Sequence, residues 1–568
     1  MKTLRSSSPY LVKALPLVML ITLTNCSEPI GDQVAPPPST LPSDLWESLS
    51  DPSNLISSVV VQQGASLQNA IEAAEPGQVI YLEPGLYREP VIINKEHIKL
   101  IGLNGAHGEK VVISSLELKS KAEVINVFRH NDDVPLKDIE TFFQPDDYEL
   151  NNVFSSPQLT GGRRNLISKS FYCLFGHVKR TELANGIAHY EFEIPLGHGS
   201  FDIVRLHRVV RESRPYRPIR TEGDVFMVHG ASQDFDDIFL TAGSNNPDAQ
   251  TSSPIYLAGK NIDVWGIDLA WTLVPKATTD FSFMKDWGVQ RDVNHTLAGL
   301  SIARLVRGLT GQSFAPMNLL GFSYGVAIAY TAAGQETQKF PLLRNVKGII
   351  PVDSGMKFET GDEVSRHSAC TEAANIKTSI DGGKYQGTLG LDIAPIAALA
   401  STAPNDPSPI PAFAGLTNIQ VAMAIGSSPA ANPVAPYWHF VGGSFSALLY
   451  TDEVRWVNLL NVLAPYQPQL TSYEYRVCVC DEEESYLDDH LNEIAVPILY
   501  LGAGGGFGSL GNFTTNLTAS TDITTYTVNK QSAADRNIDY GHADLWMATN
   551  ASNDVWDVLR QWLVDHHH

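Results

Sequence analysis

The sequence predicts an α/β protein, in which a doubly wound, mostly parallel sheet of eight strands is flanked by helices and preceded by a small all-β module. From about residue 189 onward, strand-like runs alternate with segments of helical periodicity. Several of these runs, such as 348–352 and 497–501, are continuously apolar, as expected of parallel strands covered on both faces. Before residue 120 the strands are shorter and broken by Gly and Pro, which indicates a separate architecture.

The first 25 residues are predicted to be a signal peptide. Lys2, Arg5 and Lys13 precede an apolar stretch over 14–24, which is too short for a helix that spans a bilayer. The segment before Cys26 resembles a bacterial lipobox, although Asn25 departs from the usual small residue. The resemblance implies that Cys26 is lipidated and tethers an exported chain to a membrane. Ordinary signal-peptidase cleavage beside an incidental cysteine is the alternative. Residues 26–54 are rich in proline and are predicted to form a linker.

Four further cysteines remain as candidates for disulfide bonds. An even set in an oxidising compartment favours pairing, and four cysteines allow three arrangements. Cys478 and Cys480 would face the same way on a strand, so a bond between them would be strained. We therefore expect them to pair with Cys173 and Cys370.

Residues 55–187 are predicted to form an accessory module and a connector. An amphipathic helix over 66–74 is followed by brief apolar strands. The strands are 78–82, 84–87, 91–93, 98–102 and 111–113. Over about 60 residues this pattern resembles the N-terminal cap and first rungs of right-handed parallel β-helix proteins, including pectate-lyase-like domains. The sequence lacks the carboxylate clusters with which such lyases hold calcium, so structural support is the simpler expectation.

Residues 188–568 are predicted to form the doubly wound domain. Its eight predicted strands are Tyr190–Leu196, Phe201–Glu212, Asp224–Val228, Ile262–Asp268, Asn318–Gly321, Val346–Val352, Val496–Leu501 and Asp522–Val528. Between them, apolar residues recur at helical spacing over 289–306, and a last amphipathic helix is predicted over 555–563.

A Gly-x-Ser-x-Gly motif, Gly321 to Gly325, follows the fifth predicted strand and opens a helix. Its context is that of a nucleophile elbow, in which a strained turn holds the serine out from the sheet. The chain here resembles the α/β-hydrolase superfamily, and the resemblance implies that Ser323 is a nucleophile. An ordinary serine in a tight turn is the alternative reading.

The same resemblance assigns the oxyanion hole and the base. It implies that the backbone N–H groups of Ala231, after the third strand, and Tyr324, after the serine, hold the oxyanion. His229 is expected to shape the oxyanion loop. His542 lies after the eighth strand and before the last helix, where the superfamily keeps its catalytic histidine. Asp268 stands where the superfamily often has Asp-x-Arg, but the arginine is missing here, so a structural role is expected.

The catalytic acid must come from an unusual position. It most often follows the seventh strand, yet residues 502–521 contain no Asp or Glu. Asp353 stands directly after the sixth strand, a place that lipase-like members of the superfamily use. Asp535 and Asp539 are the fallbacks, although both lie very near His542 in sequence. The glycine-rich stretch 502–508 is not followed by a convincing helix, so we interpret it as a flexible loop near the site rather than a dinucleotide-binding turn.

About 140 residues separate Asp353 from the seventh strand, and a connection of this length needs structure of its own. The segment 358–490 is predicted to be a helical lid over the serine. Its aromatic residues around 437–445 are expected to line an acyl or alcohol pocket or to form the core of the lid.

The composition excludes several functional classes. The 568 residues carry 40 Lys+Arg against 62 Asp+Glu, a net charge of −22, and this acidity argues against a nucleic-acid partner. A hydrophobic share of 43% excludes disorder. We expect an exported serine esterase or lipase that acts on a small-molecule or polymer-linked ester and needs no metal or organic cofactor. A peptidase or amidase on the same fold, and a non-catalytic carbohydrate-binding or adhesion protein, are the alternatives.

Overall fold

The structure is a computed structural model, and it divides into two compact units. It describes residues 59–61, 65–75, 78–83, 85–95, 98–102, 111–118, 122–125, 127–129, 178–184, 186–197, 199–426, 445 and 447–567. The larger unit holds 175–304 and 316–567, and the N-terminal strands belong to the smaller one. The predicted signal peptide, Cys26, the proline-rich linker and Cys173 lie outside the described residues. No helix among the described residues is long and apolar enough to cross a membrane.

Among the residues that the structure describes, the smaller unit contains seven short strands, and these pair in parallel. The strands are β1 (Val59–Val61), β2 (Val79–Leu82), β3 (Gly85–Ile93), β4 (Ile98–Gly102), β5 (Val111–Leu118), β6 (Ala122–Ile125) and β7 (Val127–Arg129). One sheet has the order β1-β2-β4-β6 and the other the order β3-β5-β7. Helix α1 (Leu67–Ala73) begins at Ser66, whose hydroxyl accepts the N–H of Asn69. Its Leu67 and Ile71 pack with Ile80 and Leu100 in an apolar core.

The larger unit is built on one twisted sheet of ten strands. The strands are β8 (Val178–Glu182), β9 (Ile187–Pro195), β10 (Ile203–Arg214), β11 (Arg217–Pro218), β12 (Gly223–Val228), β13 (Ile262–Asp268), β14 (Met317–Phe322), β15 (Val346–Val352), β18 (Ile498–Ala503) and β19 (Ile523–Val528). The order is β19-β18-β15-β14-β12-β13-β10-β9-β8, and β11 pairs with β10. Along this order, each neighbouring pair from β19 through β18, β15, β14 and β12 to β13 is parallel. The pairs β10–β13, β9–β10, β8–β9 and β10–β11 are antiparallel.

The prediction of eight strands was therefore wrong in number. The two additional strands are Val178–Glu182 and Arg217–Pro218. The first is mostly polar and exposed at the edge of the sheet, so it carries no hydrophobic periodicity. The second has only two residues. By contrast, β12, β13, β14 and β18 are buried along their whole length, which explains why most of their residues are apolar. Their polar exceptions are buried too, and they are Asp224, Asp263, Asp268 and Asn318.

Helices cover the sheet and fill the long connection after β15. The helices outside this connection are α2 (Ser253–Gly259), α3 (Val289–Leu309), α4 (Gly325–Thr337), α10 (Asp544–Met547) and α11 (Asp557–Asp565). Between Val352 and Ile498 lie α5 (Glu363–Asp381), α6 (Leu389–Thr402), α7 (Asn418–Gly426), α8 (Glu453–Val462) and α9 (Gln469–Cys480), with the short strands β16 (Gln386–Gly387) and β17 (Gln467–Pro468). The aromatic residues 437–444 of this insertion lie outside the described residues.

One disulfide bond, between Cys370 and Cys480, joins α5 to α9. Cys480 therefore pairs with one of the two partners expected for it. Cys478 is a free, buried thiol, and Cys173, the other expected partner, lies outside the described residues, so a bond between these two stays a prediction. The expectation assumed a strand, on which residues two apart face the same way. In the helix that the chain forms, residues two apart point in different directions, and only Cys480 faces Cys370.

Candidate active site

Ser323 occupies a strained turn between the end of β14 and the start of α4. Its φ is +56°, a left-handed value that few non-glycine residues adopt and that clusters at functional sites. The glycines on either side are required by close approach of the backbone. A Cβ on Gly321 would clash with the carbonyl oxygen of Gly325, and one on Gly325 would lie 2.5 Å from the carbonyl oxygen of Val228. The Gly-x-Ser-x-Gly pattern thus has a local physical cause.

Asp353 and His542 are brought together by a hydrogen bond between the acid and the imidazole. His542 Nδ1 lies 2.7 Å from Asp353 Oδ2, and both side chains are buried. Because the carboxylate accepts, the proton lies on Nδ1 and the other ring nitrogen, Nε2, keeps its lone pair. The sequence separation of 189 residues between the two is bridged by the sheet, since Asp353 directly follows β15.

The His542 ring lies beside the serine turn. It stacks on the ring of Phe322, the residue before Ser323, with centroids 4.5 Å apart. The Ser323 N–H donates to the carbonyl oxygen of Val352, the residue before Asp353, at 3.1 Å. The three predicted residues therefore stand at the carboxyl ends of neighbouring strands and on the loop beside them, where α/β sheets place their sites.

The glycine-rich loop after β18 holds the carboxylate of Asp353. The Asp353 Oδ1 atom accepts the N–H groups of Ala503, at 2.8 Å, and Gly508, at 3.0 Å. A Cβ on Gly506 would overlap Asp353 Oδ2. The loop is buried from Gly502 to Gly506, and the Gly505 N–H donates to the carbonyl oxygen of Tyr540 at 2.8 Å. The expectation of a merely flexible loop missed this role, for which the glycine content was the available signal.

The two fallback acids do not contact His542 in the structure. Asp539 is buried and accepts the backbone N–H groups of Lys530, at 2.7 Å, and Tyr540, at 2.6 Å. Asp535 is exposed and accepts the hydroxyl of Ser532 at 2.8 Å. Both therefore serve the local loop.

The loop after β12 lies against the serine. A Cβ on Gly230 would be 3.0 Å from the Cβ of Ser323, so glycine lets the loop approach this closely. His229 fixes the loop from behind: the Leu269 N–H donates to its Nε2 at 3.2 Å, and its Nδ1–H donates to the carbonyl oxygen of Gly230 at 2.9 Å. Burial lowers the pKa of His229 to about 4, so the ring is neutral at pH 7.

The backbone N–H groups of Ala231 and Tyr324 are the two predicted oxyanion donors. Within the part of the chain that the structure describes, neither of them donates a hydrogen bond. Because the Ala231 N–H belongs to the same peptide as the Gly230 carbonyl, the hydrogen bond from His229 also sets its direction.

Asp292, which the sequence analysis did not single out, anchors the residue after the serine. Its Oδ2 accepts the hydroxyl of Tyr324 at 2.8 Å and the indole N–H of Trp271 at 3.2 Å. Burial raises the pKa of Asp292 to about 6. No sequence motif marks it, because its partners are 21 and 32 residues away on other elements.

The insertion contacts the loop after β12 directly. The Ser232 N–H donates to Gln467 Oε1 at 3.1 Å, and the Ala464 N–H donates to the carbonyl oxygen of Ser232 at 2.9 Å. Ser232 has a φ of +56°. The connection between α8 and α9 thus fixes the loop that carries Ala231.

Comparisons with known proteins give structural likenesses only. No family model matches the chain, and no curated protein matches it. A candidate lipase from Sulfolobus solfataricus is 18% identical with a TM-score of 0.46, covering 69% of this chain and 99% of its own. A soluble variant of monoglyceride lipase from Saccharomyces cerevisiae is 12% identical with a TM-score of 0.37, covering 69% of this chain and 96% of its own. With TM-scores below 0.5, these likenesses do not assign a function to this chain.

Proposed function

We propose that the chain is a serine hydrolase of the α/β-hydrolase superfamily that cleaves carboxylic esters by acyl transfer. The observation that carries the proposal is the hydrogen bond from His542 Nδ1 to the buried carboxylate of Asp353, beside the turn of Ser323. A serine in a strained turn, an imidazole whose Nε2 keeps its lone pair and an acid that orients the ring form the arrangement that nucleophilic acyl transfer requires.

The reaction would proceed in two steps, acylation of Ser323 and hydrolysis of the acyl-enzyme. His542 Nε2 takes the proton of Ser323 as its Oγ attacks the ester carbonyl, and the developing oxyanion accepts the N–H groups of Ala231 and Tyr324. The imidazolium then protonates the alcohol oxygen, which leaves as the acyl-enzyme forms. A water molecule gives its proton to His542 and attacks the acyl carbonyl, and return of the proton to Ser323 releases the carboxylic acid. Asp353 stays ionised and stabilises the imidazolium throughout.

The other parts of the chain fit this proposal as accessories. The parallel pairing and continuous core of the N-terminal strands support a short β-helix-like module. The contacts of Ala464 and Gln467 with Ser232 support a lid role for the insertion, because they join it to the loop that carries Ala231. Export and tethering through Cys26 complete the proposal.

The test is a serine substitution read by two assays. We expect Ser323→Ala to abolish hydrolysis of p-nitrophenyl butyrate and labelling by a fluorophosphonate probe, since the Ser323 hydroxyl is the group proposed to form the acyl-enzyme. Ser301→Ala is the matched control, because the Ser301 hydroxyl bonds only within and beside α3. Full turnover or labelling in Ser323→Ala would refute the proposal. If the wild-type protein is labelled and cleaves an anilide but hydrolyses no ester, the substrate class is amides rather than esters.

A further inference from the structure

A cluster of two histidines and one aspartate lies on the antiparallel side of the sheet, and the proposed acyl transfer does not use it. His189 on β9 and His207 on β10 point to the same face, because His189 is opposite Val209, two residues along β10 from His207. Both histidines are buried. Asp236 begins a π-helical turn, Asp236–Thr241, in the segment after β12. Single π-turns of this kind occur often at functional sites.

The three side chains present their ligand atoms to a common point. His189 Nε2 and His207 Nδ1 are 2.9 Å apart, and they lie 3.9 and 3.6 Å from Asp236 Oδ1. The circle through the three atoms has a radius of about 2.0 Å, so one ion can lie at zinc–ligand distance from all of them. Without an ion the two imidazoles are hydrogen-bonded to each other, which satisfies the facing nitrogens but leaves Asp236 Oδ1 without a hydrogen-bond partner among the described residues.

The surroundings of the cluster are those of a metal ligand set. Asp236 Oδ1 is buried and has no hydrogen-bond partner among the described residues, although the Asp236 side chain as a whole is 36% exposed. On the far side of its ring, His207 Nε2 lies 3.1 Å from Asp268 Oδ2. A carboxylate behind a ligating histidine fixes the ring and raises its basicity. Asp268 is itself held by the Phe235 N–H at 2.9 Å.

We propose that His189 Nε2, His207 Nδ1 and Asp236 Oδ1 bind a divalent transition-metal ion, with Asp268 positioning His207. Two imidazoles and one carboxylate suit Zn²⁺ and exclude calcium and magnesium, which prefer oxygen ligands. The exposed side of Asp236 gives water access to the fourth position. Binding displaces the one proton that lies in the hydrogen bond between the two ligating nitrogens and releases it to solvent, and the His207 proton on Nε2 stays there, facing Asp268.

The ion would link two strands of the sheet to the segment that follows the oxyanion loop. Asp236 is five residues beyond Ala231, and Phe235 between them stacks on the His207 ring with centroids 4.5 Å apart. A Cβ on Gly266 would clash with the Phe235 ring, so this ring packs closely against β13. The role of the metal is therefore structural, and it holds in place the start of the π-helical turn.

The experiment measures bound zinc on the full chain. The protein is stripped with a chelator, equilibrated with Zn²⁺, dialysed against metal-free buffer and analysed for metal content. We expect about one Zn²⁺ per chain in the wild type and at least a tenfold lower content in Asp236→Asn and His207→Gln. We also expect Zn²⁺ to raise the melting temperature of the wild type but not of Asp236→Asn.

Two controls separate this site from other histidines. The chain ends in three histidines, so the combined variant His567→Ala with His568→Ala must retain the zinc. His490→Gln removes a partly exposed histidine and must also retain it. Asp236 is partly exposed, and Asp236→Asn preserves the side-chain volume, so this variant is expected to fold. Its zinc content therefore tests the site even if His207→Gln does not fold. No retained zinc in the wild type, equal zinc in Asp236→Asn, or loss of zinc in the tail variant would each overturn the proposal.

Discussion

Replacement of Asp353 by asparagine tests how the acid acts on the base. Asparagine offers one acceptor oxygen and one donor amide. The oxygen must stay at the Oδ1 position, because that position receives the N–H groups of Ala503 and Gly508. The amide then faces His542 Nδ1 at the 2.7 Å contact and donates to it. His542 is driven into the tautomer that carries its proton on Nε2, where it cannot accept the serine proton.

The expected magnitude follows from this change of tautomer. A triad histidine held in the wrong tautomer costs about 10⁴ in kcat, which corresponds to ~5.4 kcal/mol of barrier. The free energy of unfolding should fall by only about 1–2 kcal/mol, because the two backbone donors keep an acceptor. A large loss of rate with a small loss of stability therefore distinguishes the tautomer effect from misfolding.

The assay compares kcat for p-nitrophenyl butyrate with urea unfolding in the same variants. Asp539→Asn is the matched control, since Asp539 is also buried and also accepts two backbone N–H groups, but does not contact His542. Asp353→Asn activity within tenfold of wild type would refute the reasoning. So would an equal loss of rate in Asp539→Asn.

Two further predictions concern the loops around the site. Gly506→Ala should lower kcat by about 10²-fold, because the new Cβ overlaps Asp353 Oδ2 and must displace it. Gly361→Ala is the control, since a Cβ there meets nothing within 4 Å, and it should leave kcat and KM unchanged. Equal kinetics in the two variants would contradict the steric argument. The folded chain keeps His229 neutral down to a pKa of about 4, whereas the unfolded chain protonates this histidine at its ordinary pKa of 6.5. The contribution of His229 to the free energy of unfolding is therefore present above pH 6.5 and is lost as the pH falls from 6.5 to about 4. Urea unfolding should therefore show a loss between pH 7 and 5 that is about 2 kcal/mol larger in wild type than in His229→Gln, and identical losses would contradict it.

The parts of the site that sequence reasoning reached are those with a local signature. The serine turn is visible because Gly321 and Gly325 have steric causes within a few residues. Asp353 was reached through the absence of acids after β18, since a histidine base needs a partner from somewhere.

Other features depend on contacts between distant segments and carry no local pattern. Asp292 meets Tyr324 only through the packing of α3 against the serine turn. The edge strand Val178–Glu182 lacks apolar alternation, so its pairing with β9 is decided by tertiary context. Whether residues 469–480 form a strand or a helix decides which of Cys478 and Cys480 meets Cys370, and a segment this short is ambiguous in sequence.

The glycine-rich loop 502–508 is a poor site for the random substitutions that are used to alter substrate preference. It contains no ionisable group, so it would be chosen as a tolerant place for random substitution. Yet the backbone N–H groups of Ala503 and Gly508 donate to the carboxylate of Asp353, and the lack of a side chain at Gly506 leaves room for that carboxylate. A library built there should lose turnover at most positions while binding of substrate stays intact. Diversity is better placed in the insertion, away from the residues that contact Ser232.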